Sequence, residues 1–479
     1  MLKSTNKATW ITCILTVAGF LLLALGAPLS PVNRFAVGIA QILGGFALYF
    51  VAVFLLADRN WLDIRAVFTG VWICTIGLAA LRLTDYQEPW QNTTWYLVAL
   101  AYAAFHIGSA FGIFCGPKLY DRLCRKLGAF KLGRLKLQLH ESRLFWICVI
   151  TTLIGLACFC INVMIKGFIP CFSKDSSAYV SFYTKFHVFS VAATGAAGLC
   201  YYTLSTQKLS TFRKIILGLC AVYLVIVFPV LVLSRGTFVV AALSLTVSMF
   251  YLHKRKFLVL LLCLASIVSI YAIMSDMRGY SDAQLDSFFE PSDIVIITPP
   301  DQPETPEPDT QAPPAVEEVS FSLPPKVAFV YTYLTVSHDN FNEAVENATA
   351  FSYGTKQLAP FNVILRIPWI NKNNDRIPIY LVRQHLNTAN LITDFYYDFG
   401  GWGVGLFMLL WAFLFGIMQS AYTHGKGPFA LLVLGNTMTP VAYCFFSSWL
   451  STFSHWMLWG VALLLALAAC ITVVPKKSN

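Results

Sequence analysis

Residues 254–280 read KRKFLVLLLCLASIVSIYAIMSDMRGY. Three basic residues lead into an uncharged run from Phe257 to Ser275, which ends at Asp276 and Arg278. A helix rises about 1.5 Å per residue, so roughly 20 apolar residues cross a ~30 Å hydrocarbon layer. The stretch therefore reads as one membrane span, basic at one end and opening into a polar segment at the other. Working outward from it, the same signature predicts spans near 9–28, 35–57, 66–82, 94–115, 144–165, 186–205, 215–233, 237–252, 399–421, 428–446 and 455–474, about twelve in all. The expected fold class is an all-α polytopic membrane protein.

Composition agrees. Hydrophobic residues make up 57% of the chain and charged residues 12%, about half the charged share of a soluble domain. Mean hydropathy is +0.64. The net charge of +10 does not indicate nucleic acid, because the basic residues sit in short loops between spans. Those loops set the orientation. The loop 116–143 carries Lys118, Arg122, Arg125, Lys126, Lys131, Arg134, Lys136 and Arg143. With it inside, Lys208, Arg213, Lys214, Lys254, Arg255, Lys256, Lys426, Lys476 and Lys477 also fall inside. Both termini are then cytoplasmic and the long loop is outside. The loop 116–143 reads either as ordinary inside charge or as an amphipathic surface helix. Lys3 and Lys7 precede a first run too long for a signal-peptide core, which reads as a retained span. Cysteines such as Cys158, Cys160, Cys220 and Cys263 lie in spans and Cys171 has no evident partner, so no structural disulfide is expected.

Three segments follow. Residues 1–275 hold nine spans with short loops, 276–390 form one large outer loop, and 391–479 hold the last spans. Within the loop, 290–325 is acidic and proline-rich and reads as disordered. Residues 326–390 regain aromatic and apolar positions and read as partly helical. Phe341 and Val345 share one helical face there, with Asp339 and Glu343 on another.

Arg235, between two apolar runs, is either a ligand for an anion or an interfacial arginine reaching for headgroups. Arg278 stands before Gly279; a helix C-cap is its simplest structural role. Two arginines at one depth suit phosphate, which guanidinium grips bidentately. His338 is the side chain best suited to accept a proton near neutral pH, with Asp339 and Glu343 beside it, although a lone loop histidine is commonly an ordinary surface residue. Asp394 and Asp398 either cap the following span or meet sugar hydroxyls. Gly401 and Gly405 have the spacing of close helix packing. No Asp-x-Asp metal motif, P-loop or Gly-x-Ser-x-Gly elbow occurs.

Ser234-Arg235-Gly236 opening a span, Arg278-Gly279 after the next, the run Tyr333 to Phe341, Arg366-Ile-Pro-Trp369 and the Phe-Tyr-Tyr-Asp-Phe-Gly-Gly stretch before the tenth span resemble the Wzy-type oligosaccharide repeat-unit polymerases of bacteria, over roughly residues 140–450. The resemblance implies a GT-C-like arrangement of spans with one large extracytoplasmic loop. It implies joining of polyprenyl-pyrophosphate-linked oligosaccharides on the outer face of the cytoplasmic membrane, in an O-antigen or capsule pathway. Arg235 and Arg278 would neutralise the departing pyrophosphate, and His338 or Asp339 would take the acceptor's proton. Glu343, Arg366, Arg376, Asp394 and Asp398 would contact substrate. No cofactor is implied, and the first outer loop, lacking an acid, favours a metal-independent reaction. The implied partners are the lipid-linked oligosaccharide and the bilayer, with a chain-length regulator and a flippase beside them. The acidic proline-rich insert departs from the pattern. An O-antigen ligase would use the same chemistry on another acceptor. A flippase would show charged or broken helices at mid-membrane, whereas here the ionisable residues gather at one face.

Overall fold

The computed structural model describes residues 2–57, 59–129, 131–132, 135–137, 139–173, 181–277, 295–297, 323–370, 377–383 and 386–473. Among them, eleven helices are long and apolar enough to cross a membrane. The first nine are α1 (Thr9–Leu29), α2 (Arg34–Leu56), α3 (Ile64–Leu81), α4 (Asn92–Lys126), α5 (Glu141–Lys166), α6 (Lys185–Thr206), α7 (Thr211–Leu231), α8 (Arg235–Leu252) and α9 (Lys256–Met274). Two more polar helices follow, α10 (Pro325–Asn347) and α11 (Thr355–Leu365). The remaining spans are α12 (Thr393–Gly425) and α14 (Phe453–Cys470), with the shorter apolar helix α13 (Pro428–Ala442) between them. The protein is an all-α polytopic membrane protein. Among the described residues, strands are limited to short antiparallel pairings of β1 (Lys131–Leu132) with β2 (Leu135–Leu137), of β2 with β5 (Ile471–Val473), and of β3 (Val295–Ile297) with β4 (Ile379–Leu381).

The expected eleventh span, 428–446, is helical only to Ala442. At about 1.5 Å per residue its 15 residues reach ~22 Å, short of the ~30 Å layer. The chain beyond it nevertheless returns to the starting end of α12. Leu391 N donates to Cys444 O at 2.7 Å, and Ser448 Oγ donates to Asn390 O at 2.9 Å. Among the described residues of 116–143 there is no separate surface helix. The α4 helix continues to Ala129 and the chain then turns into β1 and β2.

The chain forms two compact units. The first comprises Met1–Gly108, Ser281–Ala412 and Ala442–Ser451. In it α2 packs on α3 through glycines: a Cβ on Gly77 would lie 2.9 Å from the Gly38 carbonyl oxygen. Phe68 stacks on Phe105 with centroids 3.8 Å apart, and Trp72 Nε1 donates to Val98 O at 3.1 Å, tying α3 to α4. α10 lies along α3. The second unit comprises Ser109–Tyr280, Phe413–Val441 and Thr452–Asn479. Here Ser190 Oγ donates to Gly155 O at 3.0 Å, joining α5 to α6, and Ser244 Oγ donates to Gly195 O at 2.9 Å, joining α6 to α8. Asn436 Nδ2 donates to Leu458 O at 3.3 Å, joining α13 to α14.

Candidate functional site

A strongly polar part of the first unit's interior lies on α10. Ser337, His338, Asp339, Asn340, Asn342 and Glu343 are all buried. Burying polar groups is costly unless each is hydrogen-bonded, and these are. Ser337 donates to the Phe445 carbonyl. Asn340 Nδ2 donates to Leu386 O at 2.6 Å and Thr388 O at 2.7 Å, and its Oδ1 accepts from Val382 N at 2.9 Å. One side of α10 thus fastens the chain from 382 to 390, while the other faces α3 and the connection 82–91.

That connection supplies the partners of Asp339. Gln87 Nε2 donates to Oδ2 at 2.9 Å and Trp90 Nε1 donates to Oδ1 at 2.9 Å. Gln87 is itself aimed by Tyr331, whose hydroxyl donates to Gln87 Oε1 at 2.8 Å. One turn along, Asn342 Oδ1 accepts from Gln91 N at 3.0 Å and from Thr94 Oγ1 at 2.7 Å. Burial raises the Asp339 carboxyl to about 7 against the opposing pull of its two donors and the Arg82 charge. Glu343 is raised to about 7 as well, first by burial and then by the like charges of Glu88, Glu346 and Asp339. Asn347 Nδ2 donates to Glu343 Oε2 at 3.2 Å.

His338 is fully buried. Its Nε2 lies 3.0 Å from Thr75 Oγ1 and its Nδ1 lies 3.2 Å from Asn390 Nδ2. An amide nitrogen can only donate, so Nδ1 accepts and the ring proton resides on Nε2. Trp72 meets the ring edge-on at 5.3 Å. Burial lowers the imidazole to about 3. His338 is thereby a neutral crosslink from α3 through α10 to Asn390, whose Oδ1 accepts from Ile392 N and Thr393 Oγ1 at the start of α12.

Asp398 does not cap its own span. It accepts from Ser352 Oγ, from Lys356 N at 2.9 Å and from Gln357 N at 3.0 Å, and so caps α11. Immediately after it, α12 breaks helical geometry at Phe399 and Gly400. Gly400 has φ 60, with Phe351 packed where a Cβ would stand. Asp398→Ala is expected to cost about 1–3 kcal/mol, since buried amide donors lose their acceptor, and to lower the melting temperature of the purified protein. An unchanged melting temperature would refute the capping role. Asp394 is partly exposed in the first turn of α12, and Arg366 is exposed at the left-handed end of α11 with φ 50. Gly401 and Gly405 face Leu97 and Leu100 of α4.

Arg235 belongs to the second unit. It is the first residue of α8 and only 5% exposed. Ser234 caps that helix by accepting from Thr237 N at 3.3 Å, and Leu233 before it is left-handed at φ 50. Arg278 and Arg376 lie outside the described residues. Gln87, Trp90, Asn342 and Asn390 were not singled out from sequence. The signal available was Asp85-Tyr-Gln-Glu-Pro-Trp90, a polar and aromatic stretch in an otherwise short connection. Among the described residues, no three His, Cys, Asp or Glu side chains are grouped to hold a metal ion.

Residues 63–296 match the model of the family described as Putative O-antigen polymerase. The match includes Arg235, Arg278, Gln87 and Trp90 and ends before α10. No curated protein and no solved structure matches the chain. The family implies a glycosyltransferase-type polymerase acting on a lipid-linked oligosaccharide in the bilayer. Over residues 63–296 this multi-pass membrane protein is similar to the O-antigen polymerase family.

Proposed function

We propose that the protein joins polyprenyl-pyrophosphate-linked repeat units on the outer face of the cytoplasmic membrane, with both termini inside, and that Glu343 is the proton acceptor. The observation that carries the catalytic part is the pair of carboxyl groups on α10, Asp339 and Glu343, both raised to about 7. A general base is most effective with a pKa near the working pH. Carboxylates, amides and an indole side by side suit neutral sugar hydroxyls, and the acidic surroundings disfavour an anion there. A hydroxyl oxygen of the acceptor sugar attacks the anomeric carbon of the growing chain. The bond from that carbon to pyrophosphate breaks, polyprenyl pyrophosphate leaves, and the hydroxyl proton passes to Glu343. The resemblance assigns the leaving group's charge to Arg235 and Arg278.

His338 is a poorer base than expected from sequence. Both ring nitrogens are engaged, and protonation would place an uncompensated charge in a buried site. We assign it the positioning of α10. Asp339 has donors on both oxygens and, on this reading, orients sugar contacts alongside Gln87.

The test is a pH profile of polymerisation by the full-length protein in membranes. Glu343 must be deprotonated to act, so the rate is expected to rise with pH to a plateau above about 7. Stability has the opposite sign. A carboxyl raised on folding holds its proton more tightly in the folded state, so its contribution is full below the unfolded value and is lost as pH rises through about 7. A rate independent of pH from 5 to 8, with chemistry rate-limiting, would remove Glu343 from the base role.

A further inference from the structure

His187 sits at the beginning of α6 in the second unit and is 3% exposed. Among the described residues neither ring nitrogen has a hydrogen-bond partner. Leaving a buried donor unmet carries the full desolvation cost of the group. The ring is nonetheless held firmly. Tyr183 meets it edge-on at 4.5 Å, with Phe182 at 5.9 Å and Phe228 at 6.1 Å. Asn162 of α5 secures the approach by donating to Phe182 O at 2.9 Å and accepting from the Thr184 hydroxyl. Thr184 in turn accepts from His187 N at 3.4 Å, capping the helix.

Arg235 lies at the same end of this unit. Ser244 of α8 meets Gly195 of α6, and Gly198, one turn on, faces Ser248, so the two helices run parallel. His187 and Arg235 precede that contact by about 12 and about 14 Å of helix. Two parallel helices therefore begin at one depth, each opening its first turn with a nitrogen donor side chain, His187 on one and Arg235 on the other. Helix N-termini favour anions. The preceding span contains a π-helical turn, Tyr223–Val227, and ends in the left-handed Leu233. Such irregularities recur at functional sites.

We propose that His187 is a substrate-binding residue whose imidazole donates a hydrogen bond to a phosphate oxygen of the lipid pyrophosphate. This rests on the polymerase reading and adds to it a second phosphate ligand that needs no residue of α10. The imidazole's missing partner is supplied by the ligand, and the aromatic enclosure aims it.

The test uses full-length protein in lipid nanodiscs, with farnesyl pyrophosphate as probe and farnesol as its uncharged control. Wild type is expected to bind the pyrophosphate and ignore the alcohol. His187→Phe fills the same enclosure without an unmet donor, so it is expected to melt no lower than wild type while binding about 10- to 100-fold more weakly. His187→Gln, which keeps a donor, is expected to retain part of the affinity and guards against a folding defect in the phenylalanine variant. If His187→Phe and His187→Gln both bind like wild type while Arg235→Ala does not, His187 is a packing residue and the polymerase reading stands. If wild type polymerises repeat units yet shows no preference for farnesyl pyrophosphate over farnesol, the pyrophosphate assignment falls, and His187 with it.

Discussion

Glu343→Gln is expected to slow polymerisation by about a hundred- to ten-thousandfold, the usual contribution of a general base. The substitution is nearly isosteric, and the amide oxygen can still accept from Asn347, 3.2 Å away. It removes a like charge from beside Asp339, Glu88 and Glu346, so membrane-bound protein should be present at wild-type level or above. Lipid-linked single repeat units should accumulate while polymer disappears from the gel. The comparison with His338→Ala separates the two possible bases. His338 lies between Thr75 and Asn390, so its loss should act through α10 and lower protein level and melting temperature together with activity. If Glu343→Gln polymerises normally and His338→Ala is stable but inactive, the base is the histidine, and the buried state described here is not the reacting one.

The spans were legible because their physics is local. Each is a run of about 20 apolar residues, and lipid leaves a backbone little alternative to a helix. α3 and α8, expected at 66–82 and 237–252, form at Ile64–Leu81 and Arg235–Leu252. The helical spacing of Phe341 and Val345 on one face, with Asp339 and Glu343 on another, was legible too, but both faces are buried. What could not be read is long-range. Nothing in Asp85-Tyr-Gln-Glu-Pro-Trp90 announces that Gln87 and Trp90 will meet a carboxylate some 250 positions later. Asp398 reads either as a cap for its own span or as a contact for sugar hydroxyls, yet its oxygens accept from Lys356 N and Gln357 N beside the break at Phe399 and Gly400. His338, with Asp339 as the alternative, reads as the proton acceptor because imidazole titrates near neutrality in water. Its burial, which depends on α3 and Asn390, shifts that titration downward.

Arg235 supports the other large expected effect. Arg235→Lys is expected to be nearly as inactive as Arg235→Ala, each by about a hundred- to a thousandfold, the cost of about 3–4 kcal/mol of lost charge stabilisation in the transition state. Lysine keeps the charge but presents a single point of it on a flexible stem. Guanidinium offers a planar fork that matches two phosphate oxygens at once. The surroundings sharpen this difference. Arg235 opens α8 behind the Ser234 cap, and the turn at Leu233 places it with only 5% of its surface exposed. In a site so enclosed, a displaced ammonium cannot recruit bulk water to make up the missing contact. An interfacial arginine that merely reached for headgroups would behave otherwise, because lysine performs that task equally well. Polymer on a gel, set against membrane-bound protein level for the two variants, decides the matter. Normal polymer from Arg235→Lys would make the residue an orientation charge and detach it from the pyrophosphate.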